Sequence, residues 1–246
     1  VINFLNESQS QLPLDLLGVF PELFLFVVIS TLLLVGSSFS TSVSNGYPIM
    51  VKPIAWLSLY SLFLTLLLNL NNPVNSELLF SGSLLLDDVT SFVKTVILIS
   101  SAACLAVSMD YLKKERVHAF EFSVLILFTI VGTMLLISSY DLISFYLSIE
   151  MISLSSYVLA SFKRQSAFST ESGLKYFLLG AFSSGLLLFG TALIYGITGS
   201  TNFGQIALFV AGLSELSLAS SSGLITGVVF IGVALMFKIT AAPFHM

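Results

Sequence analysis

The sequence has few charged residues. Only 9% of its 246 residues are Asp, Glu, Lys or Arg, whereas 56% are hydrophobic and the mean hydropathy is +1.02. Soluble globular domains carry roughly 25% charged residues, because a surface that faces water has to be polar. The composition therefore excludes a soluble domain and predicts a membrane protein.

Cysteine and histidine are nearly absent. Cys104 is the single cysteine, which excludes a disulfide framework and an iron–sulfur site built on four cysteine thiolates. The two histidines, His118 and His245, lie far apart in the sequence and form no metal-binding pattern. We therefore expect no cofactor in this chain and no electron transfer through it.

Positive charge is also scarce. Nine Lys and Arg residues against 13 Asp and Glu give a net charge of −4 and a pI near 5.0, and no basic stripe is present. This excludes nucleic acid as a partner. The first residues, "VINFLNESQS", do not resemble a cleaved targeting peptide. Because the chain starts without Met and stops shortly after Pro243, we expect an incomplete or split product.

Long apolar runs are what the sequence has in abundance. A helix that crosses about 30 Å of hydrocarbon needs roughly 20 apolar residues. Seven runs meet this requirement: 21–40, 49–70, 90–109, 120–139, 141–161, 174–196 and 223–240. The connectors are rich in Ser, Asn, Gly and Pro and are too short for a soluble domain. The predicted fold class is all-α, a polytopic transmembrane helix bundle with about seven spans.

Six of the nine basic residues lie in or near alternate connectors. Lys52 lies near the connector between spans 1 and 2, and those between spans 3 and 4 and between spans 5 and 6 contain Lys113, Lys114, Arg116, Lys163 and Arg164. The other connectors contain acidic residues and neither Lys nor Arg. By the positive-inside rule, this pattern predicts seven spans with the amino end outside. Chance alternation is the alternative.

Glu150 lies near the centre of the span "YDLISFYLSIEMISLSSYVLAS", residues 140–161. Its side chain is too short to reach water, and a carboxylate in hydrocarbon is costly unless it is paired or protonated. Ionisable groups inside membranes commonly mark ion or proton pathways, so Glu150 is a candidate for proton transfer. The alternative is a protonated Glu that hydrogen-bonds neighbouring helices.

Three lysines lie outside the connectors. Lys94, five residues into the third span, is expected to extend to the headgroups. Lys175 and Lys238 are either intramembrane cations or ordinary helix-end lysines. Pro243 favours a site at Lys238, because proline interrupts a helix and broken helices at membrane depth line ion pathways. His245 follows the predicted break and is a further proton-transfer candidate, the alternative being a polar helix terminus.

Three stretches resemble a known family. Residues 141–207, which include "ESGLKYF", the terminal "FKITAAPFHM" and the third span are similar to the antiporter-like membrane subunits of respiratory complex I, in particular the subunit 2 group. The resemblance covers residues 85–246 well and the first two spans loosely. It implies the first half of an inverted-repeat fold with a broken seventh helix. Residues 1–112 would form an amino-terminal three-helix segment, and 113–246 an incomplete first repeat.

The resemblance also implies roles for single residues. Glu150 matches the family's fifth-helix glutamate, and Lys238 matches the lysine that pairs with it. Lys175 matches the sixth-helix lysine that modulates the pair, and His245 lies on the route toward the next lysine. In this family, quinone reduction elsewhere in the complex makes such pairs release and take up protons.

The resemblance implies a non-redox subunit of proton-translocating NADH:ubiquinone oxidoreductase. NADH, FMN, iron–sulfur clusters and ubiquinone would be bound by other subunits. The expected partners are other membrane-arm subunits, membrane lipids, and a second chain or missing segment with the remaining helices. The expected location is the mitochondrial inner membrane. A subunit of a multi-subunit cation/proton antiporter and a purely structural membrane-arm segment remain as alternatives.

Overall fold

The structure, a computed structural model, describes residues 15–39, 50–72, 77–114, 120–163, 165–212 and 218–241. Most of these residues are helical. The helices are α1 (Phe20–Phe39), α2 (Val51–Leu70), α3 (Asp88–Lys114), α4 (Glu121–Ser138), α5 (Leu142–Ala160), α6 (Ala167–Thr198), α7 (Phe203–Ala211) and α8 (Leu218–Lys238). The all-α prediction is confirmed.

Six of the described helices, α1 to α6, are long and apolar enough to cross a membrane. Each overlaps a predicted span, because hydrophobic length largely dictates where a membrane helix forms. The seventh predicted span corresponds to α8, whose described apolar part, Ser222–Lys238, is shorter.

The predicted start of the sixth span is wrong. Helix α6 begins at Ala167 rather than at 174, so the polar stretch that we interpreted as a connector is its first turns. The extension is held by Ser169, whose hydroxyl donates to the carbonyl of Ala160 at 3.0 Å. Polarity shows where the apolar run ends, but a helix can continue beyond that point.

The chain divides into two compact units, residues 1–138 and 139–246. In the first unit, α1 packs on α2 and α4, and α3 packs on α2 and α4. In the second, α6 packs on α5 and most extensively on α8. The predicted boundary between segments 1–112 and 113–246 marks the start of a structural repeat. The two packed units do not test that boundary, so it stays a prediction.

A small hairpin lies between α2 and α3. Strands β1 (Glu77–Leu79) and β2 (Leu84–Leu86) pair antiparallel, with Leu79 opposite Leu84. The turn between them is tight, and Gly82 adopts a φ of 87° that favours glycine. Three buried leucines of the hairpin pack on Val19, just before α1, and so cover that end of the helices.

The expectation that Lys94 extends to the headgroups is wrong. Its ammonium donates to the Glu22 carboxylate of α1 at 2.6 Å, and both side chains are only 3% exposed. A lysine without a partner extends to the headgroups because its charge is costly in hydrocarbon. Here a neighbouring helix supplies a counter-ion, so the charge can stay buried. The local sequence did not identify Glu22 as the partner of Lys94.

Candidate proton-transfer site

Glu150 lies in the middle of α5 and is half-buried. The start of the helix is fixed by two backbone hydrogen bonds to the segment before α7. The Leu142 amide donates to the Thr201 carbonyl at 3.0 Å, and the Phe203 amide donates to the Tyr140 carbonyl at 3.2 Å. Eight residues of helix then carry Glu150 about 12 Å from that anchor.

Lys238 is the last residue of α8 and is half-buried. The amides of Thr240 and Ala241 donate to carbonyls of the last helical turn, which closes the helix at this point. The predicted break of this helix stays a prediction. Its predicted cause, Pro243, and the predicted site residue His245 lie outside the described residues, as does His118.

Tyr157 is the direct contact of Lys238. The lysine Nζ donates to the tyrosine Oη at 3.4 Å and lies 5.8 Å from the ring centroid. Tyr157 is itself buried and is enclosed by the rings of Tyr176 and Phe177, at 4.8 and 5.8 Å between centroids.

Glu150 and Lys238 do not form a direct ion pair; Ser153 and Tyr157 lie between them in the series. Ser153 Oγ donates to the backbone carbonyl of Glu150 at 3.0 Å and lies 3.5 Å from Glu150 Oε2, and Tyr157 follows on the same helix face one turn later. Glu150 also attracts the lysine electrostatically. We call the four residues Glu150, Ser153, Tyr157 and Lys238 the α5 relay. Its end contacts exceed the usual 2.7–3.2 Å range, so small movements would make or break them.

Lys175 lies on α6 and faces the same cavity as Lys238. The cavity has a volume of about 430 Å³ and is lined by Tyr176, Gly180 and Ser183 among others. This volume has room for several water molecules, each of which takes about 30 Å³ in the liquid. The Lys175 ammonium is 60% exposed and is paired at 2.6 Å with Glu171, one turn earlier. The structure therefore places Lys175 and Lys238 at the same cavity, and the Glu171 carboxylate balances the charge of Lys175.

Residues 139–246 match the family model described as "NADH:quinone oxidoreductase/Mrp antiporter, TM". The chain is 47% identical to NADH-ubiquinone oxidoreductase chain 2 of Marchantia polymorpha, over 94% of this chain and 48% of the relative. It is 43% identical to NADH-quinone oxidoreductase subunit N of Pelagibacter ubique, over 93% of this chain and 45% of the relative. This chain is similar, over nearly its whole length, to the antiporter-like membrane subunits of NADH:quinone oxidoreductases. It spans about half the length of the curated relatives that it matches.

Solved structures agree with this family. Respiratory complex I from Thermus thermophilus with bound aureothin contains a similar chain, with a TM-score of 0.69 and 26% identity over 92% of this chain and 45% of the other. A chain of the Mrp complex from Dietzia sp. has a TM-score of 0.67 at 20% identity, over 94% of this chain and 42% of the other. At that identity the Mrp similarity concerns the fold alone.

Neither Tyr157 nor Ser153 was among the predicted site residues. The spacing contained a signal for both. Positions 150, 153 and 157 are separated by three and four residues, which places their side chains on one face of a helix. The partner across the helix interface, Lys238, is 81 residues farther along the chain, and no local pattern indicates which face meets it.

Gly180 allows Tyr157 to occupy its position. A Cβ atom at residue 180 would overlap the tyrosine hydroxyl, because α6 passes directly beside it. Close approach of this kind requires a residue without a side chain.

We expect Gly180→Ala to lower the free energy of unfolding by about 1–3 kcal/mol, because an added methyl in a filled site forces its neighbours to move. Gly185→Ala in the same helix is the matched control, since nothing lies within 4 Å of a Cβ there. It should stabilise the helix by about 0.5–1 kcal/mol through propensity alone. Denaturation of both variants in detergent measures the difference, and equal stabilities would show that Tyr157 does not need the space.

Proposed function

We propose that this chain is the amino-terminal part of a proton-translocating subunit of NADH:ubiquinone oxidoreductase. The α5 relay supports this proposal, because it places a carboxylate, two hydroxyls and an amine in one series within residues 139–246, the family-matched region. The chain itself performs no redox step. NADH, FMN, iron–sulfur clusters and ubiquinone would be bound by other subunits.

The relay has the groups that proton transfer needs. Tyrosine and serine hydroxyls each donate and accept a hydrogen bond, so both can pass a proton along. An N–H bond of Lys238 breaks as Tyr157 gains a proton and gives its own to Ser153. Ser153 in turn protonates Glu150 Oε2. The ion pair becomes a neutral amine and a neutral acid, with no net change in atoms or charge.

Changes in the distance between Glu150 and Lys238 would control this proton transfer. The attraction of the Glu150 carboxylate helps to keep the proton on Lys238, so moving the two apart favours its release. The cavity between Lys238 and Lys175 offers the released proton a hydrated route. Lys175 would modulate the pair, and His245 would lie on the onward route.

The partners and the location belong to the same proposal. A second polypeptide or a further segment would supply the remaining helices, which is supported by the match to only 48% of a relative's length. The location would be the mitochondrial inner membrane, with the amino end in the intermembrane space. This is supported by the higher identity to plant NADH-ubiquinone oxidoreductase chains, 46–47%, than to bacterial subunits N, at most 43% among those compared.

Purification of the assembly that contains this chain distinguishes a complex I subunit from an antiporter subunit. We expect flavin and iron–sulfur proteins to co-purify with it, together with a polypeptide that carries further membrane helices. Recovery of an assembly that catalyses cation/proton exchange and lacks flavin would favour the antiporter alternative.

Tyr157→Phe tests the relay within the assembled complex. The variant keeps the aromatic ring but removes the hydroxyl that joins Lys238 to Ser153. We expect NADH-driven quinone reduction coupled to proton pumping to fall about tenfold or more, because positioned proton donors and acceptors typically contribute at least that much. Tyr195→Phe, an exposed tyrosine of α6, is the control. Wild-type coupled activity in an assembled Tyr157→Phe complex would exclude this route.

A further inference from the structure

A second acid–amine pair lies within the unit formed by residues 1–138. Lys94 of α3 donates to Glu22 Oε1 of α1 at 2.6 Å, and both residues are almost completely buried. Neither residue belongs to the α5 relay, and the proposed function assigns no role to either.

An apolar cluster lies about one turn of chain before Glu22. In this cluster, Val19 packs on the three hairpin leucines.

The hydrogen-bonding capacity of the pair is not filled. Glu22 Oε2 is buried and has no hydrogen-bond partner among the described residues. The Lys94 ammonium has three N–H groups, but the described part of the chain supplies one acceptor, Glu22 Oε1. A buried polar atom left unpaired destabilises a protein, and native proteins commonly satisfy such atoms with internal water.

We propose that Glu22 and Lys94 form a hydrated proton-holding site, with one water molecule bound between Glu22 Oε2 and Lys94 Nζ. The water accepts a proton from Nζ as that N–H bond breaks, and gives its own proton to Oε2. The carboxylate and ammonium thereby become a carboxylic acid and an amine, and the water is regenerated. The site lies wholly within the first unit and does not depend on the proposed role of Glu150 and Lys238.

A density map of the wild-type assembly, at a resolution that shows ordered water, is the first test. The expected result is one water within about 3.2 Å of both Glu22 Oε2 and Lys94 Nζ. An ion pair without such density is a dry structural contact and overturns the proposal. The map needs no variant, so the result does not depend on the folding of altered proteins.

Infrared spectroscopy of the assembled protein is the second test. The wild type is expected to show a carboxylic-acid band, sensitive to deuterium, that is absent from Glu22→Gln. Lys94→Arg keeps the positive charge but does not give up its proton, so it should hold Glu22 ionised and abolish the same band. Identical spectra of the wild type and Lys94→Arg overturn the proton-holding role.

Glu150→Gln separates this site from the proposed function. The Glu22 band should persist in that variant, whatever happens to proton pumping. If Glu150→Gln pumps like the wild type and still shows the Glu22 band, the α5 relay is wrong and the Glu22–Lys94 site stands. If Glu150→Gln loses pumping and the wild type shows no Glu22 band, the α5 relay stands and the Glu22–Lys94 site is wrong.

Discussion

Glu150→Gln in the assembled complex is expected to lower coupled turnover by about 100-fold and to reduce the number of protons released per NADH oxidised. The amide has nearly the shape of the carboxylate and can still accept the Ser153 hydrogen bond. It cannot take up a proton to become a neutral acid, so the α5 relay loses its terminal acceptor. General acid–base groups typically contribute about 10²–10⁴-fold to a rate, which sets the expected scale.

The measurement is proton release into a pH indicator by the complex in sealed vesicles, with NADH oxidation followed in parallel. Glu77→Gln is the matched control, because it makes the same change in an exposed carboxylate that lies outside the α5 relay and its cavity. The control should keep the wild-type ratio of protons to electrons. If Glu150→Gln and Lys238→Ala both pumped like the wild type in a fully assembled complex, the proton role would be abandoned in favour of a structural one.

Lys94→Met is expected to have the largest effect on stability. It leaves the Glu22 carboxylate buried at 3% exposure without a counter-ion. Removing one member of a buried pair costs about 3–5 kcal/mol, because the remaining charge is uncompensated in a medium of low dielectric constant. Chemical denaturation and the yield of assembled protein should both report this loss.

The double variant Glu22→Gln/Lys94→Met provides the decisive comparison. With both charges removed, most of the lost stability should return, since neutral replacements of buried ion pairs are often tolerated. Lys175→Met is the control for removing a lysine from an exposed pair. Its free energy of unfolding should match that of the wild type. A double variant no more stable than Lys94→Met would show that the pair contributes through packing rather than charge.

The sequence predicted the helices well because the signal for them is local. The charge content and the apolar runs of about 20 residues dictate membrane-spanning helices regardless of what those helices contact. The central position of Glu150 in α5 follows from the same counting. The limits of α6 were less predictable, since its polar first turns resemble a connector in composition.

Proximity between distant segments was not predictable in the same way. Lys94 and Glu22 are 72 residues apart, and each alone resembles a charge near the end of a span. The hairpin leucines that pack on Val19 form a run too short to distinguish from a helix segment by composition. Interactions of this kind depend on which helices pack together, and hydropathy contains no information about that.

The sequence by itself determined that this chain is a bundle of membrane helices with a carboxylate in the middle of the fifth, because burial in hydrocarbon is a property of each segment alone. The tertiary structure decided which groups meet: Tyr157 between Glu150 and Lys238, Gly180 making room for it, and Glu22 beside Lys94. Those contacts depend on helix rotation and close approach, which are fixed only when side chains of separate helices pack against each other.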